Sequence, residues 1–290
     1  MTSTTLRALI NKKPFVTCPG VFDLVSAKLA DRTGTDALYM TGYGVVASYL
    51  GLPDAGLATY SQMLDRVATI TDAVRKPLIA DGDTGYGGLL NVHHTVRGYE
   101  KAGAAAIQLE DQESPKKCGH TPNRHVIPVR DMVNKLKVAS DARTSSDFLI
   151  IARTDARTLL GIDEAIRRGE AYAKAGADII FIESPESEAE MRKIGSALDV
   201  PLLSNQLHGG RTPILSRDKL REIGYRMAIY PTAGLLASAC ALNSVYASLV
   251  DGRPVQIPLY DFNEFSALIG FEEVWDFERK YAALEAGPAE

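Results

Sequence analysis

Eight short β-rich runs, each followed by a stretch of helix length, constrain this chain more than anything else in it. The runs cover residues 15–17, 37–40, 77–80, 105–109, 148–151, 178–182, 201–204 and 227–230. Between them lie mixed apolar and charged segments such as 61–74, 92–102, 163–175 and 188–198, which read as helices packed by one face. Gly34, Gly103, Gly176 and Gly224 stand where helices should end, as C-terminal caps do. Eight alternations fit a closed (β/α)8 TIM-type barrel better than an open doubly wound sheet. No glycine-rich dinucleotide fingerprint follows the first run, which weakens the open sheet further. We expect one barrel domain over residues 1–290. Residues 237–290 form a C-terminal helical extension, expected to pack on a neighbouring subunit and be exchanged with it.

Size and charge narrow the class. A chain of 290 residues, 46% hydrophobic, can bury a large core. A formal charge of −4 offers no basic stripe, so nucleic acid is not an expected partner. Cys18, Cys118 and Cys240 are widely spaced, as in a reducing compartment rather than a disulfide framework. The first residues show no secretory pattern, and no run is expected to reach the roughly 18 apolar residues of a membrane span. A cytoplasmic protein is expected, with a homotetramer as its assembly.

A barrel places chemistry at the C-terminal ends of its strands, and polar residues cluster there. They are Tyr39, Thr41 and Gly42, then Asp81 and Asp83, Glu110, Arg153 and Asp155, Glu183, and Asn205. Any one could simply cap a strand; six strands ending this way point to a site. In Asp81-Gly82-Asp83-Thr84-Gly85-Tyr86-Gly87, two carboxylates share one side of a strand end and glycines let backbone approach a ligand. That pattern suits an oxygen-ligated Mg²⁺, against the plainer reading of a turn with solvated aspartates. Cys118 and His120 lack a second Cys/His pair, which disfavours zinc. Cys118 follows Lys116 and Lys117, and nearby positive charge should lower its pKa from about 8.5, making it a proton donor or acceptor near neutrality. His93 and His94 fall on a helix surface.

Taken together, Asp81 to Gly87, Glu110-Asp111-Gln112 and Lys116-Lys117-Cys118-Gly119-His120 closely resemble the isocitrate lyase and phosphoenolpyruvate mutase superfamily. Tyr39-Met40-Thr41-Gly42, Leu52-Pro53-Asp54, Ala152-Arg153-Thr154-Asp155 and Tyr230-Pro231 extend the resemblance over nearly the whole chain. The size is that of the short lyase branch, which includes methylisocitrate lyase and dimethylmalate lyase.

That resemblance implies roles. Asp81, Asp83 and Glu110 would position Mg²⁺, with Mn²⁺ as a substitute. Thr41 and Gly42 would hold a substrate carboxylate, Asp54 would sit near the metal, and Arg153 and Asn205 would bind the 2-oxo or 2-hydroxy acid end. Glu183 would line the pocket. Lys117, Cys118, Gly119 and His120 would form a gate that closes over the substrate and excludes water. The implied reaction deprotonates a metal-chelated 2-hydroxyl, with Tyr39 as base assisted by Arg153. The C2–C3 bond then breaks, and Cys118 protonates the resulting carbanion. In methylisocitrate lyase an arginine five residues after the Tyr-Pro proline holds the third carboxylate; here that position is Leu236. The expected substrate is therefore a dicarboxylate such as a 2-alkylmalate. Methylisocitrate cleavage, oxaloacetate hydrolysis and a carboxyphosphonoenolpyruvate phosphonomutase reaction are the alternatives.

Overall fold

The computed structural model describes residues 5–121 and 124–285. Two compact units divide it, Met1–Leu236 and Ala237–Glu290.

The first unit is the barrel. Its strands are β1 (Val16–Val21), β2 (Leu38–Met40), β3 (Leu78–Asp81), β4 (Ala106–Glu110), β5 (Leu149–Thr154), β6 (Ile179–Ile182), β7 (Leu203–Asn205) and β8 (Met227–Tyr230). All pair in parallel in the order β6-β5-β4-β3-β2-β1-β8-β7. The two ends of that order meet at one bridge, Ile180 with Leu202, so the barrel closes at a thin seam. Each run expected from the sequence overlaps one of these strands.

Strand alternation sorts the core into two layers. Outward-facing Leu38, Met40, Leu78, Ile107, Leu109 and Ile150 pack beneath the helices. These include α4 (Tyr60–Ala73), α5 (Leu89–Lys101), α6 (Val129–Ala142) and α7 (Arg157–Lys174). Inward-facing Val16, Cys18, Tyr39, Ile79, Ile151, Phe181 and Ile229 form a separate cluster. Leu6 and Ile10, one turn apart on α1 (Leu6–Lys12), join that inner cluster and are almost wholly buried. Gly20 is fixed by closure: a Cβ there would lie 2.3 Å from the Pro231 carbonyl oxygen beyond β8.

Three of the four glycines expected to end helices have positive φ: Gly103, Gly176 and Gly224. Gly34 does not. Its helix, α2 (Leu24–Asp31), stops earlier with Arg32 as cap, because Lys76 and Asp31 tie the turn beyond it. The barrel also contains α3 (Gly42–Val45), α8 (Glu188–Ala197) and α9 (Arg217–Ile223).

Helix α10 (Ala233–Val250) runs across the division, and α11 (Phe262–Ile269) and α12 (Phe271–Glu285) belong to the second unit. Contrary to the sequence expectation, α10 is long and apolar enough to cross a membrane. Its serines and Asn243 interrupt the run, but it contains no charged residue. Among the described residues of the second unit, Leu268 is the sole buried apolar side chain, while Tyr246, Leu249, Phe262, Trp275 and Phe277 are exposed.

Candidate active site

On six of the eight strands, β2 to β7, the inward column of side chains turns from apolar to polar as the strand ends. Ile79 gives way to Asp81, Ile151 to Arg153, Phe181 to Glu183, Leu203 to Asn205, and Ala106 to Gln108 and then Glu110. Tyr39 leads to Thr41 in the same manner. These ends surround a cavity of about 280 Å³. Its polar lining includes Tyr39, Asp81, Cys118, Arg153, Glu183 and Asn205, and its apolar lining Tyr43, Phe181, Leu207, Ile229, Pro231 and Leu236. Thr41, Asp54, Gly119 and His120 also line it.

Asp81 organises the floor. Its Oδ2 accepts from the Gly42 N–H at 3.3 Å and the Tyr39 hydroxyl at 3.4 Å. Its Oδ1 accepts from the Asp83 N–H at 3.1 Å. Gln108 also joins, accepting from the Tyr39 hydroxyl at 3.2 Å. Thr41 caps α3 through Gly44, and its own hydroxyl proton remains able to donate. Asp83 and Ser184, both just past strand ends, hold positive φ of 48° and 59°. Such strain in non-glycine residues is typical of functional sites.

Arg153 sits among three carboxylates. Its Nη1 lies 3.2 Å from Glu110, its Nε and Nη2 donate to Asp155 at 2.9 Å, and Nη2 lies 3.7 Å from Glu183. Glu183 also accepts from Asn205 at 3.0 Å.

The segment carrying Cys118 is fastened over this cluster. Gln112 grips the main chain of Lys117, accepting from its N–H at 2.9 Å and donating to its carbonyl at 2.8 Å. The Cys118 N–H donates to the Asp54 carbonyl, and Ser184 donates to that of Gly119. A Cβ at Gly119 would fall 2.3 Å from Arg153 Nη2, so only glycine lets this backbone lie on the guanidinium. His120 lies 3.4 Å from Glu183 and accepts at Nδ1 from the Arg211 N–H. Lys117 is exposed and outside the cavity lining. Lys116 turns inward instead, pairing with Asp54 and, at 2.7 Å, with Asp83.

This arrangement overturns the expectation that the lysines depress the Cys118 pKa. Burial pushes the thiol up, and the Asp54 carboxylate adds to that against the His120 N–H and Arg153. Lys116 is occupied by its two aspartates, so Cys118 holds its proton. Burial, then Asp81, likewise push the Tyr39 phenol well above its ordinary range. Burial raises Asp83 to about 6 against the pull of Lys116, and raises Glu110 well above the carboxylate range despite Arg153 and Lys116. Glu183 goes the other way: burial opposes its charge, but Arg153 and the His120 and Asn205 hydrogen bonds hold it below that range.

Beside the cavity, Asp54, Asp81, Asp83, Glu110, Asp155 and Glu183 outnumber the cations Lys116, Arg124 and Arg153, and the buried pair of Asp111 with Arg168 adds one charge of each sign. Among the described residues, no three acids, imidazoles or thiols converge as a ready metal cage. The donors nevertheless suit a hard dication. They are oxygens in excess negative charge, and Glu110 Oε1 is buried without a hydrogen-bond partner. Asp83 Oδ1, although close to Lys116, also makes no aligned hydrogen bond.

The profile of the phosphoenolpyruvate phosphomutase family matches residues 6–250. The chain belongs to that family. It is 48% identical to 2,3-dimethylmalate lyase of Eubacterium barkeri over 284 residues, 97% of this chain and 98% of the relative. It is 42% identical to 2-methylisocitrate lyase of Aeropyrum pernix, covering 96% and 90% of the two chains. Among solved structures, oxaloacetate acetylhydrolase bound to 3,3-difluorooxalacetate superposes with a TM-score of 0.91 at 34% identity, over 97% of each chain. A 2,3-dimethylmalate lyase, itself a member of the phosphoenolpyruvate mutase/isocitrate lyase superfamily, gives 0.89 at 34%, over 98% and 96%. Lyases and a hydrolase thus share this family's frame, and the chain stands close to its methylisocitrate and dimethylmalate lyase branch.

Several residues of the site are not singled out by their place in the sequence. Gln108 is legible, since it lies between Ala106 and Glu110 on one strand face. Gln112, Lys116 and Ser184 are not, because their roles depend on how loops from different strands meet. Asp111 faces outward from Glu110 and accepts from Thr154, Tyr172, Arg168 and the Asp155 N–H, which anchors β4 to β5 and α7.

Proposed function

We propose that this protein is a Mg²⁺-dependent lyase that cleaves a 2-hydroxy dicarboxylate, a 2-alkylmalate such as 2,3-dimethylmalate, into a 2-oxo acid and a carboxylate. The observation that carries this reading is the cavity's charge pattern. Arg153 is the sole guanidinium or ammonium among its described lining residues, and the lining that follows β8 is apolar at Ile229, Pro231 and half-exposed Leu236. A third carboxylate against that lining would lack a cation, which is costly, whereas a substrate methyl group would pack there.

Asp81, Asp83 and Glu110 would hold the Mg²⁺, which lowers the pKa of a 2-hydroxyl it binds and offsets developing negative charge. Arg153 and Asn205 orient the 2-hydroxy acid end, and Thr41 donates to a carboxylate oxygen. Tyr39 accepts the 2-hydroxyl proton. Its raised pKa opposes that role until charge at Asp81 is neutralised, since the Asp81 carboxylate is a main cause of the rise after burial itself. As the C2–C3 bond breaks, its electron pair remains on C3. Cys118, stored as a thiol, delivers a proton there while Gly119 and His120 exclude water.

The likeness to oxaloacetate acetylhydrolase favours a second reading, hydrolysis of a 2-oxo dicarboxylate by the same acid-binding groups. The exposed apolar side chains of residues 237–285 support a homotetramer in which another copy covers them, with these helices exchanged between subunits. The three free cysteines suit the cytoplasm. The test is 2-oxo acid release from alkylmalates, methylisocitrate, isocitrate and oxaloacetate, with Mg²⁺ and with chelator. Cleavage of alkylmalates that survives chelation, or no cleavage of them at all, refutes the reading.

A further inference from the structure

Arg124 follows the cysteine segment, yet it does not line the cavity. Its side chain is wholly buried. Nη1 donates to Asp155 Oδ1 at 2.6 Å, and Nη2 donates to the Thr158 hydroxyl in the first turn of α7. Asp155 is also the carboxylate on which Arg153 is mounted, through Nε to Oδ2 and Nη2 to Oδ1. One buried carboxylate therefore carries two guanidinia, which share Oδ1. The Asp155 N–H donates to Asp111 at 2.9 Å, so the backbone beneath that carboxylate is fixed as well.

Three carboxylates compete for the Arg153 guanidinium. Arg124 supplies Asp155 with a second cation, which leaves Arg153 more positive charge to present to the cavity. The planar forks also set direction, because each N–H must point at its oxygen. We propose that Arg124 is a positioning residue for Arg153, acting through Asp155. The proposal rests on reading Arg153 as the group that binds the acid end of the substrate. If Arg124 merely neutralised Asp155, any buried cation would serve and ligand binding would not change.

Arg124→Lys separates the two, since it keeps the charge and removes the fork. The probe is oxalate, a planar dianion, titrated calorimetrically into the intact protein with Mg²⁺. Losing one charge-assisted hydrogen bond costs about 10- to 100-fold in affinity, so oxalate affinity should fall by that much in Arg124→Lys. The kcat/KM for 2,3-dimethylmalate should fall with it. Asp155→Asn added to this variant should cost less than the sum of the two changes, as expected of residues acting through one group. Thr158→Val removes only the hydroxyl that holds Arg124 and should give a smaller loss in the same direction. It keeps the test decisive should Arg124→Lys not fold. Unchanged oxalate affinity in every folded variant, with only a lower Tm, overturns the proposal. If the unmodified protein binds oxalate but cleaves no alkylmalate, the proposed function fails while this test still reads. If it binds no oxalate at all, the positioning proposal fails, whatever the alkylmalate assay shows.

Discussion

Lys116 Nζ lies 2.7 Å from Asp83 Oδ1, and each side chain is more than nine-tenths buried. The ammonium also pairs with Asp54, so one lysine balances charge at two aspartates beside the floor of the cavity. Removing a single partner from such a buried group costs about 3–5 kcal/mol. Lys116→Met should lose stability of that order. Because a dication at Asp83 would offset the stranded charge, Mg²⁺ should raise the Tm of Lys116→Met more than that of the unmodified protein. Thermal denaturation with and without Mg²⁺ checks this, and equal shifts would remove Asp83 from the metal site.

Cys118 is raised above the ordinary thiol range by its burial. A raised pKa means that the proton is present below it and lost only as pH climbs through it. Alkylation by iodoacetamide should therefore be slow at pH 7.5 and rise steeply in alkali. The alkaline limb of kcat should lie above the usual thiol value of about 8.5. Cys118→Ser should fold and bind oxalate, yet lose turnover by orders of magnitude, because a hydroxyl is a far weaker acid. Near-normal cleavage by this variant would falsify the assignment of Cys118 as proton donor.

Gly119 has no room for a side chain above Arg153. Gly119→Ala should displace the cysteine segment and reduce kcat about 10²-fold, while the Tm changes little because the residue lies in a loop. Wild-type kcat in this variant would show that the segment need not lie on Arg153 during turnover.

Much of this site could be read from the sequence because strand ends obey a period of two. Tyr39, Asp81, Glu110, Arg153, Glu183 and Asn205 each follow an inward apolar residue two positions earlier or continue such a column, so their convergence follows from the barrel. Loop geometry carries no such rule. Nothing in Lys116-Lys117 says which lysine turns inward; the Gln112 grip on the Lys117 backbone accompanies that choice. The direction of the Cys118 shift is hidden for the same reason, since sequence proximity makes both lysines neighbours of the thiol whereas Lys116 pairs with Asp54 and Asp83. The helical extension is legible, but the span-length apolarity of α10 is not, because much of it lies in small residues between serines and Asn243.

Leu236 should set substrate length. The protein should cleave 2,3-dimethylmalate with a far higher kcat/KM than methylisocitrate. Leu236→Arg should narrow that gap, costing about 1–3 kcal/mol on the alkylmalate through the lost methyl contact. Both substrates measured on both proteins decide the matter; efficient methylisocitrate cleavage by the unmodified protein restores the tricarboxylate lyase.

The thin seam between β6 and β7 bears on how the barrel breathes. Ile180 and Leu202 form its bridge, and directly above it Asn205 holds Glu183 from across the gap. Backbone amides facing that seam have few neighbouring ladder bonds, so they should be the barrel's readiest to exchange with deuterium. A ligand that engages Asn205 and Glu183 joins the two strands from above. Protection at the seam then becomes an internal gauge of occupancy, readable without any turnover.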